Sequence, residues 1–279
     1  NDRKTFSRRL IWRDLAYFHL LYFPEMRDKS IRLHYEDTEW CSKEEEEKRF
    51  NAWKKGQTGY PLVDAGMREL YKTGWMTQSV RMIVASFLVE YLRVNWVKGC
   101  EWFHYTLVDA DSAINPMMWQ NAGRSGIDQW NFVMSPVAAS QDATGQYTRK
   151  WVPEISKLPN SVLHKPWEAP PQVLGTAGVV LGETYPVRII SDLKAERARS
   201  VDAVLKMRRQ KQQFNSDRGY DLIHVNGKET VVFTKKEFRI DHEGNVIKDA
   251  PRTSVSVGRG RKGKAAQKKI LRQKAAAKK

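Results

Sequence analysis

TQSVRMIVASFLVEYLRVNWV, residues 77–97, is the most apolar helical stretch of the chain. Val80, Val84, Phe87, Leu88 and Tyr91 recur at helical spacing and form a stripe wide enough to be buried against other helices. One residue is out of place. Arg81 shares a face with Val84, Leu88 and Leu92, so its guanidinium must either reach water along its aliphatic stem or meet a buried acid. The reading over 77–97 is a buried helix, and the chain around it reads as mostly α.

Upstream, FSRRLIWRDLAYFHLLY (6–22) repeats the pattern with Leu10, Ile11, Leu15, Phe18 and Tyr22 and stops before Pro24. Ser42 and Glu45 form a capping box for a charged helix over 43–55 that Gly56 can close. Pro61 opens a helix over 61–73 with Asp64 in its first turn. Downstream, 99–119 reads as helix, loop and helix, with Asp109 and Asp111 in the loop. A Gly/Ser/Asn/Pro-rich stretch runs to about residue 145, followed by helices near 147–158, 170–177 and 191–213. The character changes past residue 214. LIHV, Asn226-Gly227 and ETVVF spell a two-residue hairpin, and FRID with VIKD around Glu243–Asn245 suggests another strand turn. Three regions result: a helical domain over 1–213, a hairpin-bearing extension over 214–250 and a basic tail over 251–279.

Composition narrows the classes. The net charge is +16, and Gly258–Lys279 alone holds ten Lys or Arg and no acid, which reads as a disordered tail suited to nucleic acid or to nuclear entry. Two cysteines, Cys41 and Cys100, make no disulfide framework and suit a reducing compartment. The sequence contains no zinc-type Cys/His spacing, phosphate-binding Walker loop, GxSxG or HExxH motif, and no run long enough to cross a membrane as a helix. Ten tryptophans, all before residue 170, are far more than packing alone calls for.

Several segments in this order resemble the cryptochrome/photolyase family. They are GQTGYPLVDAGMR (56–68), TGWM (73–76), RMIVASF (81–87), LVDAD (107–111), Trp119-Gln120, YTRKWVPE (147–154) and HKPW (164–167). The match runs over about residues 6 to 200 and implies that family's helical FAD-binding domain. It also implies that the sequence starts inside a longer protein. The Rossmann-like domain that holds an antenna pterin or deazaflavin, and the Ser/Thr-rich turn for the FAD diphosphate, precede residue 1 in the family.

Carried over position by position, the resemblance pairs Arg81 with Asp109 and puts Ala110, Asp111 and Gln78 at the cofactor's polar edge. It gives Asn115 the place beside the flavin N5, where an amide can hydrogen-bond but cannot act as an acid. The first helix would add Phe6, Arg9 and Arg13 to the cofactor pocket. Trp119 and Trp96 match the proximal and middle members of the family's electron-transfer chain, 23 residues apart. Trp40 is the expected distal member, with Trp53 as the alternative.

The substrate side departs from repair enzymes. Trp12 and Met82 are kept, but Arg9 replaces a Glu, Gln78 replaces an Asn and Asn121 replaces a stacking Trp. Thr77 and Gln78 replace the histidine pair of the (6-4) class. These departures favour a blue-light photoreceptor, with DNA photolyase as the alternative and lyase activity left open. A third reading is a colourless binding fragment that acts through its basic tail. The expected partners are signalling proteins or nucleic acid, and the expected location is the nucleus, with plastid and cytoplasm as alternatives.

Overall fold

The computed structural model describes residues 2–127 and 133–247. Ten α-helices and one hairpin are assigned among them. The basic tail over 251–279 and the last residues of the 214–250 extension lie outside the described residues.

Helix α1 (Asp2–Tyr22) precedes a loop that leads to α2 (Lys43–Lys54). Ser42 caps α2, accepting a hydrogen bond from the Glu45 N–H at 3.3 Å. Gly56, at φ +60°, turns the chain in a left-handed conformation that a side chain would strain. Helix α3 (Pro61–Thr73) opens on Pro61. Asp64 does more there than complement the helix dipole. Its fully buried carboxylate accepts from Thr58 N and Oγ1, Gly59 N and the Tyr185 hydroxyl at 2.6–3.1 Å, so one acid organises the preceding turn and ties it to a residue 121 positions away.

The predicted helix over 77–97 is not continuous. Helix α4 (Gln78–Ser86) passes into a π-helical turn (Phe87–Tyr91), and α5 (Trp96–Thr106) starts afresh. Arg93 takes φ +54°, and the Asn95 side chain caps α5 by accepting from Val97 N at 3.0 Å. The hydrophobic period was right, since Val80, Val84, Phe87, Leu88 and Tyr91 are all buried. The backbone break was hidden because that period runs through it. The break seats Glu90 in the interior, where Ser200 donates to it at 2.7 Å and Arg124 and Arg197 pair with it at 3.2 and 3.1 Å.

Helix α6 (Ile114–Ala122) follows the acidic loop and packs along α5. Helices α7 (Gln146–Trp151), α8 (Asn160–Leu163) and α9 (Pro171–Ala177) are short. Pro153 ends the predicted 147–158 helix early, and a 3-10 turn continues over Pro153–Ile155. Helix α10 (Leu193–Gln210) is capped by Asp192.

Strands β1 (Asp221–Val225) and β2 (Lys228–Val232) pair antiparallel with Asp221 opposite Val232. Asn226 and Gly227 both have positive φ, as a tight hairpin turn requires. The hairpin belongs to the same compact unit as the helices, which spans residues 1–247. Ile223 and Val232 pack with Ala16 of α1 and with Ala113 and Met117 around α6. Beneath them Asp221 is fully buried and serves as acceptor for Arg32, Arg208, His34, Tyr35 and Thr234. Among the described residues no helix is long and apolar enough to cross a membrane, and no group of three metal-ligating side chains gathers.

Candidate functional site

The α4–α5–α6 packing encloses a cavity of about 250 Å³. One wall is apolar, built from Met82, Ala85, Phe103, Leu107, Met118 and Trp119. The other edge is polar, with Gln78, Arg81, Asp109, Asp111, Asn115 and Asn121. Both follow from sequence position. Gln78, Arg81 and Met82 lie on successive turns of α4, while Asn115, Met118 and Trp119 line the facing side of α6 at three- and four-residue spacing.

Arg81 meets an acid, one of the two outcomes its helix pattern left open. Its Nη2 donates to both Asp109 oxygens at 3.0 Å, and its Nε donates to the Met76 carbonyl at 2.7 Å. Asp109 is partly exposed, so the pair contributes about 0–1 kcal/mol of stability and acts mainly to position the acidic loop. Asp111 fixes the start of α6. Its Oδ1 accepts from Ala113 N at 2.8 Å and Ile114 N at 2.7 Å, and its Oδ2 accepts from the Tyr17 hydroxyl at 3.1 Å. Burial pushes this carboxyl up, but the Ile114 and Ala113 N–H groups and Tyr17 outweigh it and hold the pKa below the usual range. Asn115 is buried and donates to the Cys100 carbonyl at 3.0 Å, which orients its amide in the cavity wall. Burial also pushes the Cys100 thiol up to about 12, so it stays protonated and inert.

The tryptophans divide by depth. Trp119 and Trp96 are each 2% exposed. Two glycines make room for them. A Cβ on Gly99 would lie 2.2 Å from the Trp119 ring, and one on Gly123 would lie 2.5 Å from the Trp96 ring. Trp53 is fully buried, edge-on to Trp119 at 6.4 Å, and donates from Nε1 to the Val84 carbonyl at 3.0 Å. Trp40 is only half-buried, with the Arg124 guanidinium 5.4 Å from its ring centre. Sequence reasoning gave Trp53 a place only as the alternative distal member, and Phe103, which contacts Trp119 edge-on at 5.0 Å, no place at all.

The first helix behaves differently. Phe6 is 66% exposed, Arg9 is exposed and Arg13 pairs with Asp14. None of the three lines the cavity, nor does Trp12, which packs instead in the cluster beneath α1 with Ala16 and Met26. Helix α1 reaches the site through Tyr17, a residue to which pattern reading gave no role. Gln78, Met82, Ala110 and Asn121 do line the cavity.

An isoalloxazine ring needs a flat apolar slot with hydrogen-bonding groups along one edge. The Met82–Phe103–Trp119 wall facing Arg81, Asp109, Asp111 and Asn115 has that chemistry, and the cavity volume suits a three-ring system rather than a whole dinucleotide.

Comparison with known proteins agrees with this chemistry. A family model described as the FAD binding domain of DNA photolyase matches residues 6–206. A deoxyribodipyrimidine photo-lyase of Agrobacterium fabrum is 44% identical over 211 residues, covering 74% of this chain and 43% of the relative. Cryptochrome-1 of Arabidopsis thaliana is 42% identical over 166 residues, covering 58% of this chain and 24% of the relative. Among solved structures, a bacterial class III photolyase from Agrobacterium tumefaciens superposes with a TM-score of 0.70 at 42% identity, covering 75% of this chain and 43% of that one. A Synechocystis cryptochrome gives 0.65 at 33% identity, covering 70% and 41%. The chain thus spans less than half the length of these relatives.

Proposed function

This chain belongs to the photolyase/cryptochrome family and carries its FAD-binding domain, and on that premise we propose that it is the light-sensing half of a blue-light photoreceptor. The observation that carries the reading is the cavity wall. Trp119 forms part of it, Trp96 is buried in the same core cluster, and Trp40 packs on that cluster while keeping a half-exposed ring. A bound FAD supplies a blue-light-absorbing, electron-accepting ring. With that group bound, Trp119 in the cavity wall would serve as the one-electron donor, and Trp96 and Trp40 would carry the hole toward the surface. Trp53 is fully buried, which supports Trp40 as the outer member, because a hole must reach solvent to be trapped or refilled. Arg81, Asp109 and Asp111 orient the polar edge. Asn115, fixed on Cys100, offers that edge an amide and no acidic proton.

Photoreception is favoured over repair by the lesion side of the cavity. Asn121 and Gln78 line it where an indole and a shorter amide would serve dimer binding, and Trp12 lies outside the lining. The second reading, DNA photolyase, draws support from relatives that carry that name, in Agrobacterium fabrum at 44% and Streptomyces griseus at 40% identity. The ten cations of Gly258–Lys279 support nucleic-acid contact or nuclear entry as the tail's role. An antenna pterin or deazaflavin would belong to the rest of the protein.

The visible spectrum of the purified protein before and after blue light, beside repair of a thymine-dimer oligonucleotide, tests the reading. Light-driven bleaching of the flavin bands, lost in Trp119→Phe and without dimer repair, is the expected result. Efficient dimer repair overturns the photoreceptor reading, and a colourless protein overturns both.

A further inference from the structure

A second cavity, of about 720 Å³, lies between α2, α3, α5 and α7 and shares no lining residue with the flavin-type site. Its lining combines Lys54, Lys55 and Lys72 with Tyr71, Trp102 and Trp151, and it contains no carboxylate. A fourth cation, Arg68, also lines it but is spent structurally, paired with Glu154 at 2.7 Å and donating to the Gly56 carbonyl at 3.0 Å. The three lysines make no ion pair among the described residues. Lys54 rests its ammonium over the Trp102 ring, 5.1 Å from the centre, and over Phe50 at 4.7 Å.

The aromatics are unusual for a surface. Tyr71 is 75% exposed, and Trp102 and Trp151 are partly so. Neighbouring Tyr105, 83% exposed, stands 6.0 Å from Trp102.

We propose that this cavity binds a nucleoside phosphate, with the base stacked on Tyr71 and Trp102 and the phosphates held by Lys55 and Lys72. Each feature bears on the ligand class. Aromatic faces at the mouth of a cavity favour a planar ring. Lysines with no acid beside them favour a multiply charged anion. A volume within the usual small-molecule range, about 300–1,000 Å³, accommodates both at once. A simple phosphate would not use the rings, and an apolar ligand would not use the lysines.

The test is calorimetric titration of the FAD-loaded protein, with unbound FAD removed because its own adenosine diphosphate portion would compete, at near-physiological salt. ADP is the probe, and adenosine and pyrophosphate are the controls. One ADP per chain is expected, with each control at least about tenfold weaker because it supplies half the contacts. Tyr71→Ala should weaken ADP about five- to tenfold, the low end of a base–aromatic stack, and Tyr71→Phe should restore it. Lys55→Glu with Lys72→Glu, both at exposed positions outside the flavin-type cavity, should weaken it further with the flavin spectrum unchanged. Photo-crosslinking with 8-azido-ADP should label peptides containing Tyr71, Trp102 or Trp151. Absence of saturable binding, pyrophosphate binding as well as ADP, unchanged affinity in both variants, or label confined to the basic tail would each overturn the assignment.

Discussion

Replacing Asp221 by Asn should cost about 3–5 kcal/mol of stability, as much as any single change in the described chain. The side chain is fully buried, and its carboxylate is the only one paired with Arg32 and Arg208 among the described residues. Those guanidiniums are themselves 4% and 0% exposed, so neither can turn to water. The Nη2 donors are committed elsewhere, and the Nε of each is buried without an acceptor, so the carboxylate is what compensates both charges. Arg32 Nη2 binds the Gly126 and Phe233 carbonyls at 2.6 Å, and Arg208 Nη2 binds the Gly219 carbonyl at 3.0 Å. An amide of the same shape removes the counter-charge and turns an N–H₂ toward two cations, which is the expensive way to break a buried pair. At about 2–4 °C per kcal/mol for a domain of this size, the melting midpoint should fall by about 6–20 °C. Thermal and urea melts followed by circular dichroism read it directly. Arg208→Gln alone should cost less, and the double variant should cost less than the sum, because the two changes remove one shared interaction. A fall below about 2 °C would refute the reasoning, and with it the view that the hairpin is bound to the helical unit through this acid.

The same cluster sets an acid limit. Burial, then the charges of Arg208 and Arg32, push the His34 pKa down to about 3, so His34 stays neutral, and it lies 3.0 Å from Asp221. In the unfolded chain it titrates near 6.5, so between about pH 6.5 and 3 the unfolded state binds the extra proton and stability falls as pH drops, by at most about 1.4 kcal/mol per pH unit. Urea midpoints from pH 7 to 5 should show this slope, and His34→Phe should flatten it; an equal slope in the variant would remove His34 as the cause. Gly99→Ala tests the tryptophan wall. Its Cβ would sit 2.2 Å from Trp119 and 2.7 Å from Leu88, so overpacking should cost about 1–3 kcal/mol and slow flavin photoreduction by displacing the indole. A variant as stable and as fast as the parent would mean that the ring has room to move.

Much of the site was legible in one dimension because its elements are local. The α4 face left Arg81 to reach water or meet an acid, the family pattern named Asp109, and the two meet at 3.0 Å. Asn226-Gly227 specified its hairpin because two consecutive positive-φ residues leave the backbone few other turns. The 77–97 pattern identified the buried face but not the break after Tyr91, since a π-helical turn preserves the hydrophobic stripe while moving Glu90 inward.

What only the tertiary structure decided is long-range. Nothing near Asp221 in the chain foretells Arg32, 189 residues earlier, and a strand residue with an acid reads locally as solvent-facing. Likewise, the sequence preferred Trp40 to Trp53 as the distal member but left both open, and their difference in depth is set by the helices that pack over Trp53 and leave Trp40 at the edge. Helix α1 taught the opposite lesson. Its apolar period promised a buried face, yet Ile11, Phe18 and Leu21 are exposed. Periodicity fixes which side of a helix is apolar; whether that side is covered depends on what the rest of the protein brings against it.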